Sequence, residues 1–128
     1  MATIGEVMST DLLTVEEDAT LIATAAAMNA RRVGAVLVVR DGRLAGILTE
    51  RDVLRAAATG ELSGTVADWM TPHPEIVEAD ESAQQAAVIM IHGGFRHLPV
   101  LEGATPVGIV SIRDLMRTVL EDISPRGV

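Results

Sequence analysis

The sequence predicts an α/β (α+β) fold built from two tandem β-α-β-β-α halves. Three observations lead there. The chain repeats itself without a gap at a spacing of 62 residues: Thr3 aligns with Thr65, Met8 with Met70, Val15 with Val77, Met28 with Met90 and Gly46 with Gly108. The match continues through Arg51, Asp52 and Arg55, which align with Arg113, Asp114 and Arg117, and through conservative pairs such as Thr20 with Ser82 and Thr49 with Ser111. Each copy also places an Ala-rich helical segment before two β runs, and the first copy joins those runs through Asp41-Gly42, a strong two-residue hairpin signal.

In chain order, "LLTV" and "PEIV" read as short extended segments. Asp18 and Asp80 are expected to cap the helices that follow, over 19–31 and 81–92. "GAVLVV" and "RLAGILT" then form the first hairpin, whereas the second copy carries "EGATP" at the turn and is expected to have a longer connection there. Pro99 cannot donate to a ladder, which predicts an edge position or a strand start near His97. Helices over 50–58 and 112–122 close the copies. The boundaries are therefore 1–58 for the first repeat, 59–64 ("TGELSG") for the linker, 65–122 for the second repeat and 123–128 for a C-terminal tail. Each half would have an open apolar sheet face, so the halves are expected to pack about a pseudo-twofold axis.

Composition narrows the function classes. With 128 residues, 48% of them hydrophobic, the chain can bury a core. It has no Cys, hence no disulfide, thiolate nucleophile or thiolate metal ligand. Neither a signal-peptide pattern nor the roughly 18 to 20 continuous apolar residues of a membrane span is found, so a cytoplasmic location is expected. The net charge of −8 disfavours duplex nucleic acid, and with only Trp69 and Phe95 as aromatics there is no stacking platform for single strands. All ten cations are Arg, a residue suited to bidentate phosphate or carboxylate contact.

The repeated stretches "GILTERDVLR" (46–55) and "GIVSIRDLMR" (108–117) carry the candidate chemistry. Thr49-x-x-Asp52 and Ser111-x-x-Asp114 can each be a capping box, stabilising a helix start by about 1 kcal/mol. The same geometry offers a second use. A strand that ends at a helix N-terminus leaves unpaired amides for an anion, and a neighbouring carboxylate can accept both hydroxyls of a ribose diol. Hydroxyl, Arg and acid on one helix start are the parts a nucleotide needs.

On these residues the chain resembles a pair of CBS domains, the regulatory module named after cystathionine beta-synthase. The likeness extends from about Thr3 to Arg117, through the duplicated element order, "VMSTDLLTV" and "WMTPHPEIV" at the entry to each copy, "FRHLPV", "GILTERD" and "GIVSIRD". It implies a module without catalysis of its own that binds AMP, ADP, ATP or S-adenosylmethionine in clefts between the repeats, forms disc-like homodimers and signals to an effector protein. By the same resemblance Asp52 and Asp114 would hold ribose, Thr49 and Ser111 would lie near ribose or phosphate, and Ile47 and Ile109 would face the base. A basic pair before a strand falls on Arg96 and His97 in the second copy, beside Arg113. The first copy has Gly34 and Ala35 there, so its phosphate contacts would come from Arg31, Arg32, Arg51 or across the cleft.

Competing constellations are weaker. His92 and His97 lack the i, i+4 spacing of a helical metal pair, no nucleophile elbow is present, and no phosphate loop can form without Lys. The alternative of another class is a ligand-free interaction adaptor.

Overall fold

The structure, a computed structural model, describes residues 2–122. The tail at 123–128 lies outside the described residues. The elements are α1 (Ile4–Val7), β1 (Thr14–Glu16), α2 (Leu21–Arg31), β2 (Ala35–Arg40), β3 (Arg43–Thr49), α3 (Glu50–Ala58), α4 (Val66–Trp69), β4 (Thr71–Pro72), β5 (Val77–Glu78), α5 (Ala83–Gly93), β6 (His97–Glu102), β7 (Thr105–Ser111) and α6 (Ile112–Asp122). The β-α-β-β-α order therefore appears twice, each time preceded by a four-residue helix. No described helix is long and apolar enough to cross a membrane.

By contacts the described chain forms two compact units. One comprises 12–74 and 104–106, the other 2–11, 75–103 and 107–122. In the first-copy unit a four-stranded sheet runs β1-β2-β3-β4, with β1 parallel to β2 and the other neighbours antiparallel. Leu21, Met28, Val36, Val38, Leu48, Ala56 and Val66 form its core. In the second-copy unit a three-stranded sheet runs β5-β6-β7, and Ile4, Val77, Ala86, Met90, Leu98, Val100 and Val110 lie in its core. Met28 and Met90 are thus core fillers, as their apolar faces predict.

The entry segments sit in the unit of the other copy. Residues 2–11 open the first copy in sequence but bond to the second: Ile4 and Gly5 amides donate to the Glu81 and Ala79 carbonyls at 2.8 Å each, and Ser9 bridges to Ile109. The matching segment that opens the second copy bonds to the first, with Val66 donating to the Ala19 carbonyl at 2.9 Å and β4 pairing with β3 at Gly46 and Ile47. Two equivalent glycines permit this. A Cβ on Gly46 would stand 2.7 Å from the Thr71 carbonyl oxygen, and one on Gly108 would stand 2.4 Å from the Met8 sulfur.

Local details follow from residue chemistry. Asp41 and Gly42 both take positive φ, 53° and 75°, as a type I′ hairpin turn requires. The second connection is no longer than the first: β6 ends at Glu102 and β7 begins at Thr105, and only Gly103 of the two turn residues has positive φ. The expected longer loop is corrected because a glycine at the first central position already closes a two-residue turn.

The expected caps Asp18 and Asp80 are also corrected. Thr20 and Ser82 are the N-caps of α2 and α5, their hydroxyls accepting from the Ala23 and Gln85 amides at 3.1 Å each. The aspartates fall two residues too early for the amide three positions after a cap. β6 starts at His97, as Pro99 predicts, but lies between two strands. Leu37 donates to the Leu13 carbonyl at 3.1 Å in the first copy, and Pro99 occupies the aligned position without an N–H. Accordingly β5 pairs through two residues where β1 pairs through three.

Ile4 is fully buried in the second-copy core. Ile4→Ala is expected to lower unfolding free energy by about 2 to 5 kcal/mol in urea denaturation, the usual range for such a truncation. A loss within the scatter of surface substitutions would contradict the assignment of residues 2–11 to that core.

Candidate functional site

Each β-strand that ends a hairpin runs directly into a helix, and the junction is built the same way in both copies. Thr49 is the extended N-cap of α3. Its amide donates to Asp52 Oδ2 at 2.8 Å, its hydroxyl to the same oxygen at 3.1 Å, and the Asp52 amide donates back to Thr49 Oγ1 at 3.4 Å. In the second copy the Ser111 amide donates to Asp114 Oδ2 at 2.9 Å and the Asp114 amide to Ser111 Oγ at 3.0 Å. Both motifs are therefore reciprocal capping boxes.

A neighbouring strand fixes the other side of each junction. The Glu50 amide donates to the Gly34 carbonyl and the Ile112 amide to the Arg96 carbonyl, both at 2.9 Å. Arg96 thus lies against the first residue of α6, with its side chain exposed, and half-buried His97 follows it as the start of β6. In the first copy the Glu50 carboxylate occupies the equivalent space, 3.3 Å from where a Gly34 Cβ would stand. Arg51 and Arg113 are exposed in the first turns of their helices and, among the described residues, join no ion pair. Of the other arginines named for the first copy, Arg32 is the left-handed C-cap of α2, and Arg31 reaches the Leu12 carbonyl at 3.5 Å.

The two junctions differ in charge and closure. Arg51 and Arg55 are balanced by Glu50 and Asp52, whereas Arg96, Arg113 and Arg117 against Asp114 leave two net positive charges. The Asp52 side chain is 9% exposed and that of Asp114 is 19% exposed. Arg55 Nη1 donates to Asp52 Oδ1 at 2.7 Å, while Arg117 Nη1 stays 3.6 Å from Asp114 Oδ1. The Arg55 guanidinium also lies 5.5 Å from the centroid of the Trp69 ring.

The hydroxyls and acids of each junction fall on one helix start, as the sequence motif predicts, and Trp69 packs against the first-copy core, the default for a residue aligned with Val7; the motif assigns Arg55 and Glu50 no role. The available signal was the repeat of Arg three residues after the acid. Ile47 is buried and Ile109 half-buried, its backbone paired with Ser9. Among the described residues no cluster of His, Asp and Glu could hold a metal ion. A groove of about 450 Å³ lined by residues including Arg40, Asp41, Arg43, Met70 and His73 lies at the opposite end of β3 and contains none of these groups.

The CBS domain model matches this chain twice, over residues 4–59 and 66–121. The chain belongs to the CBS domain family. A 17.7 kDa uncharacterized protein of Acidianus ambivalens is 35% identical over 124 residues, covering 94% of this chain and 76% of that protein. Two solved structures show the same fold at lower identity. The CBS domain pair of protein MJ0100, in complex with 5′-methylthioadenosine and S-adenosyl-L-methionine, has a TM-score of 0.91 at 22% identity, covering 96% of this chain and 99% of that one. CBSX2 in complex with AMP has a TM-score of 0.82 at 22% identity, covering 95% and 98%.

The unequal closure makes a stability prediction. Asp52→Ala leaves three donors without their buried acceptor and is expected to cost about 2 to 3 kcal/mol, against about 1 kcal/mol for Asp114→Ala, in denaturant titrations. The reverse order would show that burial does not rank the two boxes.

Proposed function

We propose that this chain is a non-catalytic regulatory module that binds an adenosyl nucleotide at its strand-to-helix junctions and signals occupancy to a partner protein. The observation that carries this reading is the second-copy junction. An exposed arginine, a hydroxyl and a partly exposed carboxylate converge on the first turn of α6, where the positive end of the helix dipole favours an anion. In this reading Ser111, Arg96, His97 and Arg113 face the phosphate side, Asp114 accepts from the ribose diol, and Ile109 lies by the base. Thr49, Arg51 and Asp52 form the counterpart, which takes the nucleoside but holds phosphate less well because Glu50 stands where Arg96 stands in the other copy.

The ligands in the two similar structures, AMP in one and two adenosyl compounds in the other, support an adenosine-containing ligand of this class. AMP, ADP, ATP and S-adenosylmethionine are the candidates. The module acts as a homodimer in the cytoplasm, and its output passes to an effector. Ligand can bias two arrangements of the protein only through unequal affinity for them, so the signal is differential binding rather than chemistry.

Ligand at 100 times its dissociation constant is expected to raise unfolding free energy by about 2.7 kcal/mol, readable as a shift in thermal melting. No shift with AMP, ATP or S-adenosylmethionine would favour the adaptor. Asp114→Ala is expected to weaken nucleotide binding on the order of tenfold to a hundredfold while the protein still folds. A pure capping role instead predicts lost stability and unchanged affinity. Arg96→Ala is expected to weaken AMP and ATP by about tenfold and adenosine hardly at all. Equal losses for all three would remove phosphate contact from Arg96.

A further inference from the structure

The first-copy junction differs from the second in one feature that capping does not require: a cation is hydrogen-bonded to the free side of its acid, where the second copy has only a looser ion pair. A carboxylate offers about four acceptor positions on two oxygens. At Asp52, Oδ2 accepts from the Thr49 amide and hydroxyl, and Oδ1 accepts from Arg55 Nη1 at 2.7 Å. A ribose diol must take Oδ1, because that oxygen alone has no capping bond. Arg55 therefore stands in the position that a diol would claim.

The arginine is also easily moved. Its side chain is 58% exposed, while the acid that it covers is 9% exposed. The other end of its reach is the Trp69 ring on α4, 5.5 Å away. Arg117 is held more loosely. It forms the matching ion pair with Asp114 Oδ1, but at 3.6 Å, longer than a hydrogen bond, and the residue aligned with Trp69 is Val7, which offers no ring.

We infer that Arg55 is a latch on the first-copy junction: it competes with a ligand diol for Asp52, and its displacement is felt by Trp69 and α4. The inference rests on the nucleotide reading above. It assigns Arg55 as a positioning residue acting through Asp52, and it makes the two junctions unequal, the second only loosely covered by Arg117 and the first closed until a ligand displaces the arginine. Because α4 continues into β4, which pairs with β3 at Gly46 and Ile47, a change at Trp69 can be passed on to the strand that leads into Thr49.

Trp69 is the sole tryptophan, so the latch has its own reporter. In an Asp114→Ala background, or Asp114→Asn should the alanine variant not fold, adenosine is titrated by calorimetry and by tryptophan emission. Adenosine is expected to change Trp69 emission. Adding Arg55→Met, which keeps an apolar stem, is expected to shift emission in the ligand-free protein, abolish the response to adenosine and tighten adenosine binding by about tenfold. A merely stabilising ion pair would lower the melting temperature without tightening binding. Equal or weaker adenosine binding in Arg55→Met, or binding with silent Trp69, overturns the latch and leaves the nucleotide reading standing. Absence of binding in the wild type as well as every variant removes the nucleotide reading and the latch together.

Discussion

The reciprocal bond between a residue that enters a helix and an acid three positions later governs this molecule. Thr49 with Asp52 and Ser111 with Asp114 start α3 and α6 in this way. The same pattern starts the two short helices, where Glu6 and Asp68 accept from the Thr3 and Thr65 amides. Those bonds to the Thr3 amide and hydroxyl also hold the Glu6 carboxyl below its usual range. What separates the four is burial. Glu6 and Asp68 are exposed, and their bonds only begin a helix. Asp52 and Asp114 are drawn inward, and in each one oxygen closes the cap while the other turns to a second partner, an arginine.

Duplication supplied two copies of one junction, and a few substitutions around it gave them different characters. Gly34 and Glu50 in one copy stand at the positions of Arg96 and Ile112 in the other, which removes a cation and adds an anion without altering the backbone bond that joins strand to helix. The chemistry of the junction can change because its architecture does not depend on those side chains. Pro99 shows the opposite case. There a single residue removes a backbone donor, and the neighbouring strand shortens.

Much of this was legible in the chain because its causes are local. The hydroxyl-x-x-acid motifs, the Asp41-Gly42 turn and the 62-residue period are all contained in short windows, and each has its expected place. The cap at Thr20 was misplaced by two residues because Asp18 offers the same acceptor chemistry nearby. The four-residue helices gave no periodic signal, although Thr3-x-x-Glu6 and Thr65-x-x-Asp68 carried their start. The pairing of Ser9 with Ile109, and the stacking of Arg55 on Trp69, join residues whose proximity no local pattern encodes.

Because residues 2–11 complete the core around Val77 and Val100, while 64–72 complete the core around Val36 and Leu48, neither copy carries all of its own interior. A single repeat severed at the linker would keep a short entry helix without the core that it fills, and a core without the short helix that completes it. The two copies are thus bound to a shared fate: a truncation, a transplanted half or an independent drift in one repeat damages the other, and the smallest heritable piece of this architecture is the pair.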